Sequence, residues 1–240
     1  MPELTVIIPC YNEAKRLSGF FDLIEANREL DWEWLFINDG SKDNTVELIE
    51  QHAAGNDKIR LHSLDKNSGK GKAVRTGLLE AKGDIVGFVD ADLAASPLIM
   101  KRLLKNEKLQ DKSSVLIGIR LKTQESNVDR KWYRHYMGRV FQTLVSVISG
   151  LTVYDTQCGF KFMHKSLAED IASKMQCDGF CFDVELLMIA NRLGYFIDEQ
   201  MIDWEEKGDS KVRPWHIVQM FFDILKISKR VRRDVPTASK

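Results

Sequence analysis

Four short apolar runs, each closed by a polar cluster, govern what this chain can fold into. Leu4–Pro9 (LTVIIP), Trp32–Asp39 (WEWLFIND), Lys58–Ser63 (KIRLHS) and Ile85–Val89 (IVGFV) read as strands. Helical spacings separate them: Leu17, Phe20, Phe21 and Ile24; then Val46, Leu48 and Ile49, capped by Asp43 or Asn44 and ended by Gly55; then Lys72–Ala81. Such alternation requires right-handed crossovers, and hence an α/β fold whose mainly parallel sheet carries helices on both faces. Ligands in these sheets bind beyond the carboxyl ends of the strands. There this sequence places PCYNE, NDGS, KNSGKGKA and DAD, one cluster per strand. Four strand ends therefore aim polar groups at one rim.

After Gly118 the pattern changes. A fifth strand ends in GIR, a long segment from Asp129 to Gly150 reads as helix, and GFKFMH as a short strand. DVELLMIANRLG reads as an amphipathic helix ending at Gly194, and YFIDEQMIDW as a strand. No Pro/Gly/Ser-rich linker or repeat divides the 240 residues. The expectation is one domain with a nucleotide half (1–120), an acceptor half (121–213) and an amphipathic, basic C-terminal helix and tail (214–240). A formal net charge of zero argues against a general nucleic-acid binder. Cys10, Cys158, Cys177 and Cys181 lack paired ligand spacing and no secretory leader precedes them, which points to a reduced, cytoplasmic setting. No apolar run is long enough to cross a bilayer, so membrane contact is expected to be peripheral.

Each motif has a functional and a local explanation. Asp90-Ala91-Asp92 at a strand end presents the hard carboxylate oxygens that Mg²⁺ and Mn²⁺ prefer, or else two solvated loop aspartates. In NSGKGKAVRTG, Gly69 and Gly71 let backbone N–H groups approach a phosphate while Lys70, Lys72 and Arg75 add charge at a helix N-terminus; the plain alternative is a basic glycine turn. Asp39 accepts hydrogen bonds from a base or ribose, or begins an Asp-Gly turn. Asn12 or Glu13 belongs to the site or caps a helix. Together a cation, a cationic loop and a base-reading turn describe a nucleoside diphosphate site.

VIIPCYNE, INDGSKDNT, NSGKGKAVRTG and VDADL resemble the successive signatures of family 2 glycosyltransferases, which have the nucleotide-sugar-binding GT-A fold, a Rossmann-like nucleotide half joined to an acceptor half. DTQCGFKFMHK, FDVELL and GDSKVRPW are similar to the branch that glycosylates polyprenyl phosphates, the dolichyl-phosphate glucosyltransferases above all. The mannose-transferring members usually carry a different residue at Asp183, which favours glucose. Eukaryotic glucosyl enzymes of this branch have an N-terminal membrane anchor; here the first strand starts at Leu4, and the expectation is a chain without one.

The resemblance implies an inverting, metal-dependent transfer from a nucleotide sugar, UDP-glucose first, to a polyprenyl or dolichyl phosphate. Asp90 and Asp92 would hold Mg²⁺ or Mn²⁺. Pro9, Tyr11, Glu13 and Asp39 would line the nucleoside, Lys70 and Arg120 would contact phosphate, and Lys211 would close over the pyrophosphate. Asp183 is either the general base that many members place there, a group orienting the donor or a basic residue, or simply an N-cap. Arg130, Arg134 and Lys161 are the candidates for the acceptor phosphate. The aromatic-basic stretch around Trp132 and the C-terminal helix, with Ile217, Met220, Phe221, Ile224 and Leu225, are candidates for an anionic membrane surface; the apolar stripe itself is expected to dock on the core. Three alternatives stay open: a soluble glycosyltransferase acting on a polysaccharide or small acceptor, a GDP-mannose-dependent enzyme, and a catalytically silent nucleotide-binding protein.

Overall fold

The four leading strands form as read, within one residue at their ends: β1 (Leu4–Cys10), β2 (Trp32–Asn38), β3 (Ile59–Ser63) and β4 (Ile85–Val89). They belong to a computed structural model that describes residues 1–91, 97–110, 112–121, 145–203 and 214–238. With β5 (Ser114–Leu121), β6 (Phe160–His164) and β7 (Phe196–Asp203) they make a seven-stranded sheet of order β3-β2-β1-β4-β6-β5-β7. Only the pairings of β6, with β4 and with β5, are antiparallel. Six strands therefore end at one rim, and β6 begins there. The mainly parallel sheet flanked by helices is borne out.

The helices are α1 (Ser18–Ala26), α2 (Thr45–Ala53), α3 (Lys70–Glu80), α4 (Pro97–Leu104), α5 (Glu107–Gln110), α6 (145–149), α7 (Lys165–Lys174), α8 (Phe182–Arg192) and α9 (Pro214–Asp234). The period-two alternation of each strand sends its side chains to two cores. On one face Leu4, Val6, Ile8, Trp34 and Phe36 meet Phe20 and Ile24 of α1, Ile49 of α2 and Met100 of α4. On the other Ile7, Leu35, Ile37 and Phe88 meet Val74 and Leu78 of α3 together with α7, α8 and α9. Burial on both faces is why β1, β2 and β4 are almost continuously apolar.

Three features depart from the sequence reading. First, α8 is no amphipathic surface helix: Phe182 to Ala190 are all buried, including Asp183 and Glu185. The sheet lies on one side of it and α9 on another. Second, Asp183 is not its cap; Cys181 takes that position and Asp183 sits in the first turn. Third, α7 was not anticipated, although Leu167, Ala168, Ile171 and Ala172 have helical spacing and its N-cap His164 accepts from the Ser166 N–H at 3.2 Å. Most of the expected long helix 129–150 lies outside the described residues; its last stretch, 145–149, is helical and stops at Gly150, whose φ of +74° is left-handed. α9 docks on the core through Met220, Ile224, Ile227 and Val231; of the stripe expected to dock, Met220 and Ile224 are buried whereas Leu225 is 41% exposed.

Gly87, in the middle of β4, lies opposite Phe162 of β6, and a Cβ there would stand 2.1 Å from the phenyl ring. Overpacking of this kind costs about 1–3 kcal/mol. Gly87→Ala is expected to lose that much stability in urea unfolding, while Leu79→Ala, at a position 51% exposed on α3, stays within about 0.5 kcal/mol. Equal stability of the two variants would contradict this packing of β4 on β6.

Candidate active site

The loops that leave β1, β2 and β3 are tied to one another. Asn12 adopts a φ of 53°, donates its backbone N–H to Ser41 Oγ at 3.0 Å and accepts the Lys42 N–H at 2.8 Å. The Glu13 N–H reaches Thr45 Oγ1 at 2.9 Å. Asn38 Nδ2 donates to Ser63 Oγ at 3.2 Å, and Asn38 Oδ1 accepts the Ser41 N–H at 2.9 Å. Gly40, at φ +70°, lets the second loop press on the third, since a Cβ there would come within 2.6 Å of the Asn67 nitrogen. These ties frame an open cleft of about 580 Å³ lined by Tyr11, Asn38, Ser41, Asp65 and Asn67 among others. Of the four residues read as nucleoside contacts, Tyr11 lines this cleft. Pro9 is a β1 residue paired with Ile37, and Glu13 and Asp39 are buried.

Asp39 has a second task that sequence reading missed. Its Oδ1 accepts the Ser68 N–H at 2.6 Å and its Oδ2 the Gly69 N–H at 2.9 Å. The glycine loop is thus clamped by a buried carboxylate at one end. At the other, the Gly71 N–H donates to the Asp178 carbonyl at 2.9 Å. Both glycines are required by this contact: a Cβ on Gly69 would meet Asp178 O, and one on Gly71 would meet Cys177 O, each at 2.2 Å. The N–H groups of Gly69 and Gly71 themselves both have partners inside the protein. What the loop presents outward is the Lys70 side chain, first residue of α3.

Lys70 Nζ lies 2.5 Å from Asp90 Oδ1 at the carboxyl end of β4, with both side chains about a quarter exposed (28% each). The positive group that the Asp90 carboxylate demands is this ammonium. Asp90 is seated by β6: its N–H donates to the Gly159 carbonyl at 3.1 Å, and its carboxylate fills the space where a Gly159 side chain would be, 2.2 Å from an added Cβ. Behind it, Lys161 Nζ donates to Asp183 Oδ1 at 2.5 Å and to the Cys158 carbonyl at 2.8 Å, and lies 5.4 Å from the centre of the Phe88 ring. Lys161 is completely buried and Asp183 nearly so. Burial pushes the Asp183 carboxyl up; Lys161 and Lys70 oppose that shift, and Asp90 adds to it. Two ion pairs, Lys70–Asp90 at the rim and Lys161–Asp183 behind it, thus lie close enough to influence one another.

The expected contact of Lys161 with an acceptor phosphate is corrected by this burial, since its ammonium is enclosed and paired. Arg120 lies one residue from the end of β5, in register with Ile202. Asp92, Lys211, Arg130 and Arg134 lie outside the described residues. Gly159 and Glu185 were missed. A glycine immediately before a strand is the only trace of the first, and burial of the second follows from α9, whose placement on α8 no local pattern specifies.

The chain is matched from residue 5 to 172 by the family model described as glycosyl transferase family 2. A dolichyl-phosphate beta-glucosyltransferase of Trichomonas vaginalis is 33% identical over 236 residues, 93% of this chain and 70% of that protein. The human dolichyl-phosphate beta-glucosyltransferase is 32% identical over 244 residues, 95% of this chain and 75% of that one. Among solved structures, glucosyl-3-phosphoglycerate synthase of Mycobacterium tuberculosis, in complex with Mn²⁺, UDP-glucose and phosphoglyceric acid, superposes with a TM-score of 0.69 at 18% identity, covering 99% of this chain and 82% of that one. At that identity the likeness establishes the GT-A fold. With its family signatures in order along one rim and relatives that match nearly its whole length, this chain belongs to glycosyl transferase family 2 and is a glycosyltransferase.

Proposed function

We propose that the chain transfers glucose, with inversion, from UDP-glucose to dolichyl phosphate or a related polyprenyl phosphate. The donor half of this reading is supported by the cleft beside Tyr11 and by the Asp90–Lys70 pair on the same rim. The relatives' names support the sugar and the acceptor. One observation carries the acceptor class: Asp183, where a base for a hydroxyl acceptor is expected, is buried and ion-paired to Lys161. A carboxylate enclosed and engaged in this way is poorly placed to reach the proton of an acceptor hydroxyl. A phosphate monoester is already anionic near pH 7 and brings its own nucleophilic oxygen. That oxygen bonds to the anomeric carbon as the bond from that carbon to the donor's β-phosphate oxygen breaks. The electron pair leaves with the nucleoside diphosphate, and no proton has to move.

A divalent cation fits the rim. Asp90 offers a partly exposed carboxylate of the hard-oxygen type, its seat left clear by Gly159, and its present partner is itself a cation. Asp90, with Asp92 as the resemblance implies, would hold Mg²⁺ or Mn²⁺, which when bound would stabilise the charge growing on the departing diphosphate. Lys70 would share that work by contacting the phosphates. For the membrane, α9 leaves Phe222 55% and Leu225 41% exposed beside exposed Lys226, a surface suited to an anionic interface. Arg230, by contrast, turns inward. Among the described residues no helix is long and apolar enough to cross a membrane.

Incubating the chain with Mn²⁺, dolichyl phosphate and either UDP-glucose or GDP-mannose, in detergent micelles, is expected to give a glucosylated lipid and UDP. Release of UDP only with a soluble sugar acceptor, or transfer from GDP-mannose alone, would overturn the reading. Gly159→Ala pushes a methyl group into the Asp90 carboxylate, and a displacement of about 1 Å in such a site lowers turnover by up to roughly 10²-fold. Its kcat/KM is expected to fall by at least an order of magnitude while its secondary structure, followed by circular dichroism, stays native. An active Gly159→Ala enzyme would remove Asp90 from the mechanism.

A further inference from the structure

Glu185 sits two residues beyond Asp183 on α8, and so on another side of the helix. It is completely buried, and burial pushes its carboxyl up while the Cys177 N–H and Arg230 oppose the shift. Its Oε2 accepts the Gln176 N–H at 3.0 Å and the Cys177 N–H at 2.8 Å, and its Oε1 accepts a hydrogen bond from Arg230 Nη2 of α9. Arg230 also donates to the Lys174 carbonyl at 3.1 Å. From the α3 side, Arg75 donates to the Met175 carbonyl at 2.9 Å and to Asp178 Oδ1 at 2.8 Å. Three charged groups from three helices therefore fix one short backbone stretch, 174–178.

That stretch is the surface on which the glycine loop rests. The Asp178 carbonyl takes the Gly71 N–H, and residues 177 and 178 lie so close that neither Gly69 nor Gly71 has room for a side chain. Lys70, between them, is the residue that reaches Asp90. The path from Arg230 to the rim is continuous: guanidinium to Glu185, Glu185 to the 176–177 amides, the Asp178 carbonyl to the start of α3, and Lys70 to Asp90. A shift of α9 that released Glu185 would free the support of the loop that aims Lys70.

We propose that Glu185 and Arg230 are positioning residues for the donor site, through which docking of α9 and binding of the nucleotide are linked. This rests on the reading of the rim as a nucleoside diphosphate site. Linkage is reciprocal: whatever α9 docking does for nucleotide affinity, nucleotide must do for α9 docking.

The test uses the full chain with UDP and Mn²⁺ as the probe. Calorimetry is expected to show binding to the unaltered protein, at least tenfold weaker binding to Arg230→Met and Glu185→Gln, partial recovery in Arg230→Lys, and a change within twofold for Glu169→Gln on the exposed face of α7. The transferase assay is expected to place the loss in KM for the nucleotide sugar, with KM for the acceptor unchanged. Hydrogen exchange gives a second readout that needs no variant to fold: UDP with Mn²⁺ is expected to slow exchange of α9 amides at 224–233. Variants that melt earlier yet bind UDP as the unaltered protein does, or α9 amides indifferent to UDP, would overturn the inference. Failure of the unaltered protein to bind UDP would overturn the donor-site reading, and this linkage with it.

Discussion

The two ion pairs at the junction of β4 and β6, Lys161–Asp183 behind and Lys70–Asp90 in front, are what the rest of the site is built around. They lie together because β6 runs against its neighbours. Were β6 parallel to β4, its first residues would lie at the opposite edge of the sheet. Running antiparallel, it brings Gly159 beside the Asp90 carboxylate and Lys161 beneath the first turn of α8. One reversed strand thereby joins the parallel part of the sheet to a helix that carries a buried acid.

Stability does not explain the inner pair. Replacing a buried ion pair by apolar groups of similar size is often neutral or favourable, whereas deleting one partner costs about 3–5 kcal/mol. What Lys161 does is keep Asp183 paired beside a rim that already carries Asp90, and so limit repulsion between two acids with different tasks. The outer pair is of another kind. It is partly open to water, and on the proposed reading Asp90 gives up one cation for another. A rigid inner pair and an exchangeable outer one suit a site that handles diphosphates.

Much of this was legible in the sequence, for physical reasons that can be named. Strands buried on both faces are marked by continuous apolar runs, so β1, β2 and β4 could be placed almost to the residue. Polar residues at the strand ends marked the rim because nothing in a packed sheet requires them there. Long-range choices left no local trace. That β6 is antiparallel, that α9 covers α8, and that Lys161 faces inward all depend on elements far apart in the chain. The glycine loop shows what a local reading leaves out: at Gly69 and Gly71 the room that a side chain would need is taken by the carbonyls of Asp178 and Cys177. Asp39 adds to this, its carboxylate tied to the Ser68 and Gly69 amides, a task that no local pattern announces.

The central claim is that Asp90 exchanges the Lys70 ammonium for a divalent ion when a nucleoside diphosphate arrives. A crystal structure of the chain with Mn²⁺ and UDP tests it most directly. The account predicts manganese bound by the Asp90 carboxylate and Lys70 Nζ turned to the diphosphate, with Asp183 still paired to Lys161. Manganese and UDP bound elsewhere, with the Lys70–Asp90 pair intact, would contradict it.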